Sequence, residues 1–178
     1  MAKNNLTSNT NLLSPVGFKL TINRQKYANT EYFITNFSIP EITAGEVQMN
    51  FRGGISYQTS ETRQFGGLSL RFAIDEDMKN FKEIYDWLIG LGYPDNFEQR
   101  ANLQSALQQR NEKSGLVYSD GSMIITTAQY QPNILINFID LYPISIGGLE
   151  FSTQSTDIEY LQGSVSFNYR KYTIDFIK

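Results

Sequence analysis

The sequence contains no cysteine and no histidine among its 178 residues. Without cysteine, neither a disulfide framework nor a thiolate metal site can form, and a cysteine nucleophile is excluded. Without histidine, the chain lacks the side chain that most often serves as a general base and as a metal ligand. Most hydrolytic mechanisms therefore lack a residue that they require. Without disulfides or thiolate metal sites, the stability of the fold must come from packing.

The chain also lacks clustered positive charge. Its 15 Lys and Arg residues stand against 18 Asp and Glu residues, the formal net charge is -3, and no polybasic run occurs. Proteins that bind nucleic acid tightly neutralise phosphates with grouped Lys and Arg, so we expect no such binding. Residues 1–11 are polar and no apolar stretch follows them. We therefore expect no signal peptide and no membrane anchor, and a protein made and kept in the cytoplasm.

Three features could carry chemistry, and each has a simpler structural interpretation. The acidic residues 75–77 could bind calcium or cleave glycosides, but Lys79 stands where a third calcium ligand is needed, which favours helix capping. The glycine pairs at 53–54, 66–67 and 147–148 lack the spacing of a nucleotide-binding loop. Serine nucleophiles would have no histidine base. We expect no cofactor, no metal and no enzymatic activity.

Aromatic residues, in contrast, are abundant: 12 Phe and 11 Tyr occur, and such side chains suit a half-buried pleated surface. Alternation of apolar and polar residues predicts strands with one buried face. The predicted strands are residues 16–23, 31–39, 68–74, 122–129, 134–141 and 164–170. We expect the first two to pair, a turn at 120–121, and a last strand that extends through residue 174. The fold class is mainly β.

One segment changes to the spacing of a helix. Its apolar residues recur every three or four positions and share one helical face, with Asp75 or Asp77 as the N-cap and Gly90 and Gly92 at the end. Trp87 is interpreted as a packing anchor of this helix. The apolar face consists of Met78, Phe81, Ile84, Tyr85 and Leu88.

The length of the chain suits one domain. We expect residues 15–178 to form it, with a flexible N-terminal arm at 1–14 and an insertion at 93–119 that contains a short helix near 103–110. A hairpin is predicted around Arg52 and two glycines, with strands at 46–51 and 55–59. Its weak alternation indicates an arm, residues 42–60, that extends from the core.

The order of these segments is more specific than any one of them. The informative segments are residues 15–20, 38–40, 46–59, 65–76, 84–87, 139–151 and 158–160. In this order, they make the chain resemble the tail tube proteins of contractile-tailed, T4-like phages, over roughly residues 12–178.

The resemblance implies an antiparallel β-sandwich or rolled barrel with one flanking helix. It implies a structural virion protein, assembled in the host cytoplasm, whose hexameric rings stack into a tail tube. Tail sheath and baseplate proteins would lie outside the tube, and DNA would pass through it without sequence-specific binding. The arm is implied to reach the neighbouring ring. The candidate inter-subunit residues are Ile42, Val47, Met49, Phe51, Arg52, Ile55 and Tyr57.

Two alternatives stay open. The polar N-terminal arm and the 93–119 connection depart from a minimal tube subunit, so the chain could form a specialised tube-like ring at the baseplate or at the head-proximal end. An alternative of another class is a monomeric carbohydrate- or protein-binding β-sandwich module, whose exposed aromatics would form the binding surface. The size of the oligomer separates these classes.

Overall fold

The computed structural model describes residues 13, 15–22, 34–92, 118–152 and 160–177. The elements are β1 Phe18–Ile22, β2 Ile34–Phe37, β3 Ile42–Phe51, β4 Gly54–Phe65, β5 Leu68–Ala73, α1 Lys79–Leu91, β6 Ser119–Thr126, β7 Pro132–Ile146, β8 Gln162–Asn168 and β9 Lys171–Phe176. The predicted N-terminal arm apart from residue 13, and the predicted insertion with its short helix apart from residues 118–119, lie outside the described residues.

A folded sheet forms the body of the domain. Its strands follow the order β1-β6-β7-β8-β5-β2, with β9 also paired to β7, and all pairs are antiparallel. The first half of β7 pairs with β6 and β9, whereas its second half, from Tyr142, pairs with β8. Between the halves, Asp140 has a positive φ of 57° and its N–H donates to Asp120 Oδ1 at 3.3 Å. The long strand therefore passes from one layer to the other at Asp140.

The two layers share one hydrophobic core and roll towards each other at their outer strands. Phe18 of β1 lies 6.1 Å from Phe37 of β2, measured between ring centroids, although the two strands do not pair in the part of the chain that the structure describes. The prediction that the first two strands pair is wrong, because alternation specifies the buried face of a strand and not its partner. The predicted fold class is confirmed as a mainly antiparallel β fold with one helix among the described residues, and the described strands do not close into a barrel.

The helix packs on this core through Ile84 and Trp87, and the Trp87 ring lies 5.8 Å from that of Phe167. This confirms the packing role predicted for Trp87. The N-cap position, however, belongs to Met78 in the left-handed conformation, so the prediction of Asp75 or Asp77 at that position is wrong. Asp75 instead accepts a hydrogen bond from the backbone N–H of Asn80 at 3.2 Å, because a turn brings it over the first helical residues.

Two predicted boundaries are also corrected. The predicted turn at 120–121 lies inside β6, where Gly121 is buried and an added Cβ would come within 2.9 Å of the Leu141 side chain. The predicted last strand is divided at Tyr169 and Arg170 into β8 and β9. This turn contains no glycine or proline; Arg170 holds it by donating its N–H to the carbonyl of Ile139 at 3.0 Å.

Candidate functional site

The second sheet is the hairpin of β3 and β4, joined by a turn at Arg52 and Gly53. It is longer than the strands predicted at 46–51 and 55–59, because pairing continues to Ile42 and Phe65 beyond an irregularity after Ala44. None of its residues is buried. A two-stranded hairpin is only marginally stable alone in water, so this one depends on attachment or on a partner.

The two faces of the hairpin differ. Val47, Met49 and Phe51 lie on one face, and their exposed fractions are 49%, 49% and 61%. We call these three residues the apolar stripe. Ile55 and Tyr57 lie on the opposite face, because each pairs with a residue between the members of the stripe.

The structure thus divides the candidate residues that the sequence grouped together. Of the remaining two, Arg52 lies in the turn and Ile42 pairs with Phe65 at the base, where Ile42 is 52% exposed. The sequence could not give this division, because the faces depend on the register of pairing across the turn. The stripe is the largest apolar group that this hairpin presents on one side.

The base of the hairpin is fixed to the turn between β8 and β9. The hydroxyl of Tyr169 donates to the carbonyl of Gly66 at 2.7 Å, and the hydroxyl of Tyr172 donates to the carbonyl of Pro40 at 3.0 Å. The Phe65 ring lies 6.2 Å from the ring of Tyr169 and 5.7 Å from that of Tyr172. We call these three aromatic residues the hairpin base cluster. Both ends of the hairpin are therefore attached to the core.

Tyr169 is a buried member of this cluster, with an exposed fraction of 5%. Burial, and to a smaller extent the neighbouring Tyr172, raises the pKa of Tyr169 to about 12. The hydroxyl therefore stays protonated into the alkaline range in which a free tyrosine ionises, and it remains a hydrogen-bond donor to Gly66. Sequence analysis missed both tyrosines as positioning residues, since they lie 103 and 132 positions away from their acceptors.

Two of the acidic residues that could have bound a metal or acted in catalysis have structural roles instead. Asp75 binds the start of the helix, and Asp77 forms an exposed ion pair with Lys79. Within residues 34–92 and the other described ranges, no group of three His, Cys, Asp or Glu side chains could hold a metal. No helix in the described parts is long and apolar enough to cross a membrane.

A polar depression of about 460 Å³ lies on the outward side of β2, β5 and β8. Its lining combines small hydroxyl and amide side chains with Arg71, Leu70 and Val165, and contains no aromatic residue. Among the described residues it therefore does not supply the aromatic platform that a carbohydrate-binding module would use.

Solved structures of similar fold include components of contractile injection systems. The anti-feeding prophage cap, described as the AFP tube terminating cap, has a TM-score of 0.65 at 14% identity, covering 99% of this chain and 100% of that chain. The PVC sheath/tube terminator in the extended state has 0.59 at 12%, covering 94% and 99%. A chain of the PVC sheath-tube complex has 0.58 at 10%, covering 93% of each. At these identities the likeness concerns the fold.

A search by sequence finds no match among curated proteins. The family described as phage tail tube protein, however, matches residues 5–175, which is nearly the whole chain. The mainly antiparallel fold, the sequence motifs and the solved tube components agree with this match. The chain therefore belongs to the phage tail tube protein family, a family of structural proteins and not of enzymes.

Proposed function

We propose that copies of this chain form hexameric rings that stack into a phage tail tube, with the hairpin of each copy contacting the neighbouring ring. The observation that carries this proposal is the hairpin itself, none of whose residues is buried although it is firmly attached at its base. Exposed apolar residues on both of its faces would be an aggregation hazard in a monomer. In a polymer they become interface residues.

The candidate contact residues take different parts in this arrangement. The apolar stripe supplies buried area, while Ile55 and Tyr57 on the other face contact a second surface, and Arg52 meets the neighbour first at the tip. Ile42 lies at the base and contacts the adjacent subunit where the hairpin leaves the core. Such an interface is heterologous, so it repeats from ring to ring without closing on itself.

The partners follow from the same architecture. A solved relative belongs to a PVC sheath-tube complex, and another belongs to the AFP baseplate. By analogy, tail sheath and baseplate proteins contact the outside of this tube in the virion tail, after assembly in the host cytoplasm. DNA passes through the lumen without being held, which fits a chain with net charge -3 and no basic run.

A second candidate is a terminal ring of the same tube. It is favoured by the likeness to the AFP tube terminating cap, which extends over 99% of this chain and 100% of that chain. Both candidates need ring formation, but only the repeating subunit forms tubes of indefinite length. Electron microscopy of the purified protein separates them.

The test of the hairpin's role is a shortened variant. The N–H of Gly66 donates to the carbonyl of Glu41 at 2.9 Å, so the two ends of the hairpin already meet. Residues 44–63 can therefore be replaced by an Asn-Gly turn, which keeps the first cross-strand pairs and the hairpin base cluster. We expect a folded subunit that forms rings but does not stack. Stacking at the rate of the unmodified protein would refute the role of the hairpin.

A further inference from the structure

Apolar side chains form continuous rows across the layer of β1, β6, β7 and β9, and two rows end unburied at β9. Ile174 ends one row with an exposed fraction of 47%, and Phe176 ends the next with 74%, whereas the row members on β6 are at most 8% exposed. The rows are Leu20, Met123, Ile136 and Ile174, and Phe18, Ile125, Ile134 and Phe176. The core surface of this layer thus continues past the part that the described chain covers.

Within the described residues, the same strand has an open backbone edge. Among the described strands, β9 pairs only with β7. The N–H of Ile177 donates to the carbonyl of Asn133 at 2.9 Å. In the register of this pair, the odd-numbered residues from Lys171 to Ile177 therefore form the backbone hydrogen bonds to β7. Ile174 and Phe176 fall between them, so their backbone groups point away from β7. An edge of this kind, next to exposed apolar side chains, accepts an added strand.

Strand β3 of the hairpin matches this edge on both faces. In β3 the apolar stripe alternates with polar residues, and in β9 Ile174 and Phe176 alternate with Thr173 and Asp175. Laid parallel to β9, β3 would place its stripe next to the ends of the apolar rows and its polar residues next to the polar side of β9. The direction is parallel because the backbone groups of the stripe bond to β4 across the two-residue turn, and those of the alternating polar residues face the free edge. The stripe spans about 14 Å at a rise of about 3.4 Å per residue, enough to cover both row ends.

We propose that β3 of one copy adds in the parallel direction to the open edge of β9 of a second copy, with the apolar stripe continuing the apolar rows. Among the described strands the hairpin forms a separate two-stranded sheet, so the second edge of β3 has no partner within that part of its own copy. The chain supplies both the added strand and the accepting edge. Each copy therefore donates one strand and accepts one, which is the head-to-tail contact that a repeating assembly needs.

This inference rests on the proposed function and names the surface that the hairpin contacts. The absence of cysteine allows a direct test, because any introduced cysteines are the only ones present. One preparation carries a cysteine in place of one stripe residue (V47C, M49C or F51C), and the other carries I174C or F176C. The mixed preparations are assembled, oxidised mildly and analysed by mass spectrometry. Matched control variants are I55C and Y57C, on the opposite face of the same hairpin.

We expect a disulfide between copies for at least one stripe position with I174C or F176C, and not for I55C or Y57C, because aligned residues on adjacent strands lie about 4.8 Å apart, within the range that a disulfide spans. Tubes or rings that form without any stripe disulfide, or with disulfides from the control positions instead, would overturn the inference while leaving the proposed function intact. A protein that stays monomeric throughout would contradict both.

Discussion

The hydroxyl of Tyr169 donates a hydrogen bond of 2.7 Å to the carbonyl of Gly66, joining the C-terminal turn to the end of the exposed hairpin. Tyr172 does the same for the start of the hairpin through Pro40. These contacts fix the direction in which a ribbon without a core of its own leaves the domain. A fixed direction lowers the entropy that is lost when the ribbon meets a neighbouring copy.

The first prediction concerns these tyrosines. Tyr169→Phe removes the donor and leaves the Gly66 carbonyl without this partner, so the free energy of unfolding should fall by about 1 kcal/mol. Hydrogen exchange in β3 and β4 should become faster, because the base of the hairpin is loosened. Denaturant unfolding and exchange mass spectrometry measure the two effects. Tyr85→Phe on the exposed side of the helix is the control and should change neither.

The second prediction concerns alkaline pH. The pKa of Tyr169 is raised from 10.0 to about 12 in the folded protein. Below pH 10 the side chain is protonated in both states and has no effect on the pH dependence. Between pH 10 and about pH 12 the unfolded state loses this proton while the folded state keeps it, so stability falls as pH rises. Tyr169→Phe should have a shallower decline over this range in denaturant titrations; equal slopes would contradict the assignment.

The third prediction concerns two glycines near the same sheet. A Cβ added at Gly163 would lie 2.9 Å from the Phe72 ring, whereas one added at Gly148 would meet nothing within 4 Å. Gly163→Ala should therefore cost about 1–3 kcal/mol of stability through overpacking of a buried aromatic ring. Gly148→Ala serves as its control and should melt within about a degree of the unmodified protein, given the small effect of surface substitutions. Thermal unfolding decides the matter.

The fourth prediction separates assembly from folding. Phe176 and Phe151 are similarly exposed, at 74% and 73%, but only Phe176 ends an apolar row at the open edge of β9. Phe176→Ser should reduce polymer formation strongly while leaving the melting temperature of the unassembled subunit almost unchanged. Phe151→Ser should assemble normally. Light scattering follows assembly, and equal loss in both variants would argue against a specific role for β9.

Sequence patterns were informative where one element buries one face. The alternation at 68–74 corresponds to β5 Leu68–Ala73, and the 3.6-residue spacing around Ile84 and Trp87 corresponds to α1 Lys79–Leu91. Pairing was not accessible: β1 and β2 are neighbours in the chain but lie at opposite ends of the strand order. The turn at Tyr169 and Arg170 was missed because it is held by contacts with β7 and not by glycine or proline.

The presence of the hairpin could be predicted from the sequence, but its two faces and its attachment to the core could not. Glycines next to Arg52 revealed the hairpin, and its apolar residues marked it as an arm. The division between the stripe and the face of Ile55 and Tyr57 required the strand register. The attachment through Tyr169 required the tertiary fold, since no local pattern connects residues 103 positions apart.

Electron microscopy of the purified, full-length protein tests the central claim most directly. The account predicts six-fold rings that stack into tubes, or single rings if the chain forms the end of a tube, and it predicts that the variant with residues 44–63 replaced does not stack. A protein that remains a stable monomer at every concentration examined would contradict it.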